Sequence, residues 1–332
     1  MTTRRTPRTP KGTLSMTHLT RRGVGLWAAA LIGFGRVAPA RAKENVFRVA
    51  SQKGAGILLI LKQRGTLEAK LKPLGWSVTW TEFPAGPQLL ESLNVGVTDF
   101  GLVGEGPPIF AQAAGADIVY VGAEVAAPRN EAIIVPKNSP IKTIADLKGK
   151  RVALNKGSDV NYLLIRALEA NKLAYSDIEP AYLAPADARA AFERGAVSAW
   201  VIWDPYYAAA AIGLGARTIA DGTGLAGNVS YYMARRQIAE AYPEVLRDVL
   251  AAVDEIDSWA KDHRKEYAAE LSDSLGLPAS VSELWVERTE FGAKQIDAAT
   301  LDEQQRVADA FARIELIPKR INVRDAAWKP GT

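Results

Sequence analysis

Phe100-Gly101-Leu102-Val103-Gly104-Glu105-Gly106-Pro107-Pro108-Ile109-Phe110-Ala111-Gln112-Ala113-Ala114 sets the pattern of the whole chain. It opens as a short apolar run closed at once by Gly-Glu-Gly, which is how a buried strand and its exit turn look. Pro107 and Pro108 follow, and proline suits the first turn of a helix, where a missing N–H costs no intrahelical bond. Ile109–Ala114 then continues as a helix. Strand, glycine-rich loop and helix make one unit.

That unit recurs. Val46–Ala50 runs through Gln52-Lys53-Gly54-Ala55-Gly56 into Ile57–Arg64, and Val78–Glu82 through Phe83-Pro84-Ala85-Gly86-Pro87 into Gln88–Asn94. Further on, Arg151–Leu154 leads through Asn155-Lys156-Gly157-Ser158 to Val160–Ala170, and Ala199–Trp203 through Asp204-Pro205 to Tyr206–Ala211. Strands alternating with helices predict an α/β protein with mostly parallel sheets and right-handed crossovers. From about Gln237 to Ile317 the pattern is helical, with apolar residues at helical spacing in Tyr242–His263 and Ala298–Ile314. Ala126–Asn130 reads as a connector between two strands and Asn228–Arg235 as an extended return, which favours two lobes over one large sheet. Pro140–Leu147 predicts a short capped helix.

Composition narrows the function. The chain has 332 residues, 48% hydrophobic and 23% charged, which suits two lobes and argues against disorder. Its 41 basic residues outnumber 37 acidic ones, giving +4. Residues 1–42, however, hold eight of the basic residues and no acidic one (Arg4, Arg5, Arg8, Lys11, Arg21, Arg22, Arg36, Arg41), so the rest of the chain carries about −4. The basic character belongs to the leader, and no nucleic-acid partner is expected. In that leader Arg21-Arg22 precedes the apolar run Val24–Phe34 and the small-x-small end Ala40-Arg41-Ala42. A charged start and an apolar core too short to span a bilayer make it an export signal, with Lys43 as the new N-terminus. Thr20-Arg21-Arg22 also resembles a twin-arginine start, without the usual Phe-Leu pair. The chain has no cysteine and only His18 and His263, which excludes disulfides, thiolate nucleophiles and cysteine- or histidine-built metal sites. Nucleophile-elbow, phosphate-loop and zinc-protease motifs are absent. No metal, cofactor or catalytic group is expected.

Ligands of open α/β sheets bind beyond the carboxyl ends of the strands. The loops at 52–56, 83–88, 104–108, 155–161, 184–187 and 203–207 are therefore the candidates. Several lead into helices, whose first turns offer free N–H groups and a partial positive charge to an anion. Each loop also has a plainer reading: a strand-to-helix turn at Gln52-Lys53-Gly54 and Gly104-Glu105-Gly106, a helix cap at Ser158, a core residue at Trp203, solvated charges at Lys53, Lys156 and Arg129. His263 lies in a run of charged residues and reads as surface.

The ordered set Gln52-Lys53-Gly54, Glu82–Gln88, Pro107–Asp117, Asn138–Thr143, Pro185–Phe192 and Trp203-Asp204-Pro205-Tyr206-Tyr207 resembles the solute-binding proteins of ABC importers in the nitrate, sulfonate and taurine group, above all the aliphatic sulfonate branch. The resemblance implies a type II periplasmic binding protein fold, two α/β lobes joined by two crossovers around a ligand cleft. It implies capture of an alkanesulfonate, delivery to membrane permease subunits, a monomeric protein and a periplasmic location. It maps the lobes to 43–129 with 238–332, and 130–237, after a signal at 1–42. It maps the pocket to Gln52, Gly86, Gly104, Glu105, Lys156, Gly157, Ser158, Asn161, Trp203 and Asp204. Glu105, where relatives commonly carry Asp, and Asp159-Val160 depart from the pattern and bear on the preferred chain length. Taurine, nitrate and other oxoanions are alternative ligands, and an enzyme on the same fold is a more distant one. With one surface histidine and no cysteine, the pocket is expected to hold no group that titrates between about pH 6 and 8.

Overall fold

The computed structural model describes residues 45–52 and 54–329, so the expected export signal and Lys53 lie outside the described residues. Ten strands follow one another as β1 (Asn45–Gln52), β2 (Trp76–Phe83), β3 (Phe100–Val103), β4 (Ile118–Ala123), β5 (Glu131–Val135), β6 (Arg151–Leu154), β7 (Glu179–Tyr182), β8 (Ala199–Trp203), β9 (Arg217–Asp221) and β10 (Tyr231–Arg235). The helices among them are α1 (Gly56–Arg64), α2 (Thr66–Leu71), α3 (Gly86–Asn94), α4 (Gly106–Ala113), α5 (Val160–Ala170), α6 (Pro185–Glu193) and α7 (Tyr206–Leu214). A helical return completes the chain with α8 (Arg236–Ala241), α9 (Pro243–Asp262), α10 (Arg264–Leu275), α11 (Ala279–Arg288) and α12 (Ala298–Arg313).

The strands form two sheets of the same design, β2-β1-β3-β10-β4 and β7-β6-β8-β5-β9. In each, four of the five strands point the same way and one runs against both its neighbours: β10 against β3 and β4, β5 against β8 and β9. The sheets are mostly parallel as expected, with one reversed strand each. β5 and β10 are the strands that arrive from the other sheet, and a chain crossing over enters with the opposite direction. β9 and α2 also form where no element was anticipated.

The first sheet packs against α1, α9, α10 and α11 through Phe47, Phe100 and Tyr232, the last two stacked at 5.7 Å between centroids. On α9, Val245, Leu246, Val249, Ala252, Val253, Ile256 and Ala260 are buried, the three-to-four spacing of one apolar face. Each fully buried aliphatic side chain on that face contributes about 1.5–3 kcal/mol. At the edge away from the cleft, Asp99 is fully buried and holds Arg48 at 2.7 Å and Arg235 at 3.1 Å, tying β1 to the incoming β10. In the second sheet Trp200 and Ile202 pack on Phe192 and Tyr207 beneath α6 and α7. The expected short helix is a 3-10 turn at Ile144–Leu147, with Asp146 accepting the N–H groups of Lys142 and Thr143 at 2.9 Å.

The C-terminal helices do not serve one sheet alone. Phe311 of α12 packs on Phe110 of α4 at 5.2 Å and on Tyr162 of α5 at 6.4 Å, so one core runs from the first sheet's helices to the second's. Gln304 of α12 donates to the carbonyl of Glu105 at 2.8 Å and to the Tyr120 hydroxyl at 3.1 Å. The two crossovers are also bonded to each other, Asn228 Nδ2 to the carbonyl of Ala127 at 3.0 Å and Gly222 N–H to that of Pro128 at 2.9 Å. Asn228 sits at φ +47°, a left-handed conformation that asparagine tolerates better than most residues.

Candidate functional site

The strand-end loops of both sheets meet around a cavity of about 60 Å³, the volume of roughly two waters. From the first sheet come Gln52, Gly54, Gly86, Gly104 and Pro107, and from the second Ser158, Asp159, Trp203 and Asp204. The crossovers add Asn130, Asn228 and Ser230, and α11 adds Trp285. Close approach explains the glycines. A Cβ on Gly104 would lie 2.8 Å from the Asp159 carboxyl carbon, and one on Gly86 2.6 Å from the Pro107 ring. A Cβ on Gly106 would lie 2.5 Å from the Ser158 carbonyl, so main chain of the two sheets' loops touches there.

Of the expected pocket residues, Gln52, Gly86, Gly104, Ser158, Trp203 and Asp204 line this cavity. Glu105, Lys156, Gly157 and Asn161 do not. Glu105 is buried with its carboxylate turned to the Val229 N–H at 3.3 Å. The Lys156 side chain is exposed, its ammonium 5.4 Å from the Tyr182 ring. Gly157, at φ +77°, donates its N–H to Asn161 Oδ1 at 2.8 Å, and Asn161 donates onward to the Tyr175 hydroxyl, so this pair shapes the loop from within. The expected Ser158 cap does not form. Its hydroxyl donates to the Asn155 carbonyl at 2.7 Å, leaving only lone pairs for anything in the cavity.

The helix starts differ in what they offer. Pro107 and Pro108 remove donors from the first turn of α4. At α5 the N–H groups of Asp159 and Val160 face the Asp159 carboxyl itself, which occupies the place an external anion would take. At α3 the N–H groups of Gly86 and Gln88 have no backbone acceptor. Three carboxamides add donors. Gln52 spends one hydrogen on the Leu102 carbonyl, Asn130 one on Thr289 and Asn228 one on Ala127, and each amide nitrogen keeps a second.

Charge around the cavity is nearly all acidic and nearly all buried. Burial pushes Asp159 up to about 6 and Glu105 up to about 8, the latter also raised by Asp159. Glu131, wholly buried with neither oxygen bonded, is pushed well above the usual carboxylate range by burial and then by Asp159 and Glu105. Asp204 is pushed up to about 7 by burial, although Arg288 lies 3.2 Å away and opposes the shift. The expectation of a pocket without groups titrating between pH 6 and 8 is therefore overturned. Carboxyls took the role that histidine count alone could not reveal, because burial moves them. His263 is exposed as expected.

Arg288 was missed by sequence reasoning. It comes from α11, about 80 residues beyond Asp204, and stacks its guanidinium 3.6 Å from the Tyr207 ring centre while pairing with Asp204. Trp285, one turn earlier, was equally hidden. Asn130, Asn228 and Ser230 did carry a signal, since they lie at the ends of the two segments read as crossovers.

Two α/β lobes, each with one reversed strand where the chain crosses over and enclosing a polar cleft at their strand ends, are the fold of the type II periplasmic binding proteins. The family model described as NMT1/THI5 like matches residues 77–266, and the chain belongs to that family. An Escherichia coli relative named as an aliphatic sulfonates-binding protein is 45% identical over 88% of this chain and 91% of its own length. A Bacillus subtilis relative of the same name is 33% identical over 84% of each. Among solved structures, the alkanesulfonate-binding protein SsuA of Xanthomonas axonopodis pv. citri bound to MOPS is 41% identical with a TM-score of 0.82, over 86% of this chain and 99% of that one. A desulfurization enzyme at 16% identity and a TM-score of 0.62 shares the fold alone.

Proposed function

We propose that the chain is an extracytoplasmic solute-binding protein that captures aliphatic sulfonates and hands them to the permease of an ABC importer for sulfur acquisition. A sulfonate is a permanent anion with three equivalent oxygens and no proton to donate, so it asks for several donors spread in three dimensions. The observation that carries the reading is the donor set around the cavity. It consists of neutral amides from Gln52, Asn130 and Asn228 with the open N–H groups at the start of α3, while the nearby cation, Arg288, is already paired with Asp204. Trp203 and Trp285 give the alkyl chain aromatic walls. The raised carboxyls of Asp159 and Asp204 spend more time neutral near pH 7 than free carboxyls do, which lessens their repulsion of an anion. The names of the relatives support the same ligand class.

In this reading 43–129 with 238–332 and 130–237 are the lobes that close on the ligand, except that Tyr231–Arg235, as β10 of the first sheet, moves to the first lobe and shifts the second boundary back from 237 to about 230. The pocket residues expected from the sequence act at or behind the cavity. The protein binds without catalysis, works as a monomer, and is exported by the leader at 1–42, with the paired arginines offering the twin-arginine route. A calorimetric screen of methane-, ethane- and butanesulfonate, taurine, nitrate, sulfate and phosphate tests it. Sulfonates are expected to bind tightest. Saturable binding of nitrate or phosphate alone would refute it.

A further inference from the structure

Arg288 ends α11, and its side chain is buried although it carries a charge. The helix it stands on belongs to the first sheet's core, where Val281, Trp285 and Val286 pack with Phe47 and Phe100. Arg264 of α10 donates to the Val286 and Thr289 carbonyls at 2.8 and 2.9 Å, which fixes the backbone on both sides of position 288. What Arg288 holds belongs to the second sheet. Its guanidinium lies 3.3 and 3.2 Å from the two carboxylate oxygens of Asp204, just past β8, and 3.6 Å from the ring centre of Tyr207 in α7. Both partners are fastened to their own side: Asp204 Oδ1 accepts the Ala208 N–H at 2.8 Å, and the Tyr207 hydroxyl bonds Thr218 of β9 at 2.6 Å. The loop 203–207 supplies Trp203 and Asp204 to the cavity wall, yet Arg288 itself lines no part of the cavity.

A planar guanidinium set against a carboxylate and stacked on a ring satisfies its charge, its donors and its flat face together. The partners stand on different sheets, so parting the lobes breaks this contact and returns both charges to water. Closing leaves the charges to each other and to the ring. Removing one partner therefore penalises the closed form, where the other stays buried and uncompensated. Two neighbouring links span the same junction, Arg129 to Glu287 at 3.2 Å and Asn130 Nδ2 to Thr289 Oγ1 at 3.3 Å. The first joins exposed groups and contributes little, and the second starts from a crossover and does not bridge the lobes.

We propose that Arg288 is a positioning residue that clasps the closed lobes through Asp204 and Tyr207, setting the affinity for every ligand alike without touching any of them. The proposal rests on the reading that the lobes close on a sulfonate and adds the contact that holds them shut. The test compares the purified chain with Arg288→Met and Arg288→Lys, using methanesulfonate and butanesulfonate at pH 8 in buffers free of other sulfonates. Calorimetry is expected to show Arg288→Met weakening both ligands by the same factor, about 10- to 100-fold. Stopped-flow tryptophan fluorescence should place that loss in faster dissociation, with association close to the parent's. Arg288→Lys keeps the charge without the fork or the stack and should fall between the two. A loss more than about threefold larger for one ligand would mean that Arg288 contacts the ligand, and an affinity within about twofold of the parent would mean that the pair does not hold the lobes; either result overturns the proposal while sulfonate capture stands. Should Arg288→Met fail to fold, Tyr207→Leu removes the stacking face and keeps the ion pair. It should give a smaller loss, again equal for both ligands, and unchanged affinity would overturn the proposal just as well. If the parent protein binds neither ligand, sulfonate capture falls and this inference falls with it.

Discussion

Replacing Gly106 by alanine tests whether the two loops across the cleft must touch. Gly106 does not have a left-handed φ, so alanine meets no backbone penalty there and the effect is steric. Its Cβ would lie 2.5 Å from both the carbonyl carbon and oxygen of Ser158 and 2.9 Å from the Asp159 nitrogen. Ordinary contact begins near 3.4 Å, so the backbones have to part by about an ångström. These atoms are main chain of a loop held from behind by Asn161, so no side chain can swing away. Overpacking of this kind costs about 1–3 kcal/mol. The cost falls on the form in which the loops meet, so affinity for an alkanesulfonate should drop about 5- to 150-fold. Titration calorimetry reads the loss, and small-angle scattering of the saturated protein should show a larger radius of gyration than the parent. An affinity within about twofold of the parent would refute the claim that binding requires this contact.

Three further outcomes are expected. Because Asp159, Asp204 and Glu105 hold protons more tightly folded than unfolded, their contribution to stability is complete below about pH 4 and is lost as pH rises through about 6, 7 and 8; the melting temperature should fall from pH 6 to 9, and a rise would contradict the burial argument. Asp159→Asn removes a charge that grows beside the cavity above pH 6, so it should tighten alkanesulfonate binding at pH 8 and flatten its pH dependence, as calorimetry at three pH values would show. Asp99→Ala leaves Arg48 and Arg235 without their buried partner; since Arg48 is partly exposed, the loss should sit at about 3 kcal/mol, the low end for breaking such a pair, and urea unfolding would measure it.

The alternation of short apolar runs with glycine- and proline-marked loops made β1, β2, β3, β6, β8 and both crossovers legible, because each such loop is forced by local backbone chemistry. β9 escaped because Arg217–Asp221 alternates only weakly and owes its existence to the edge of β5, a long-range partner. The strand-end rule, which depends only on strand direction, singled out the loops, and the family resemblance named within them Gln52, Gly86, Gly104, Ser158, Trp203 and Asp204, which share one cavity. It placed Lys156 and Asn161 in the right loop but could not say which way a side chain turns. Arg288 and Trp285 were beyond reach, because α11 meets the cleft through tertiary packing that no local pattern records. The titrating carboxyls were hidden for a related reason: a pKa follows burial, and burial is a property of the assembled lobes.

The place of β10 has a consequence for how the protein is made. Residues 100–123 supply β3 and β4, yet these strands are not neighbours; the slot between them is filled only by Tyr231–Arg235. A chain growing from its N-terminus therefore carries β4 without a partner, and β3 with an open edge, until the whole second sheet has been synthesised. Open strand edges are templates for pairing with other chains. The second sheet, made of β5–β9 alone, can close ahead of the first, whereas a chain interrupted anywhere before about residue 231 leaves the first with an aggregation-prone edge and half a sheet. Folding of the first sheet has to wait for the return strand.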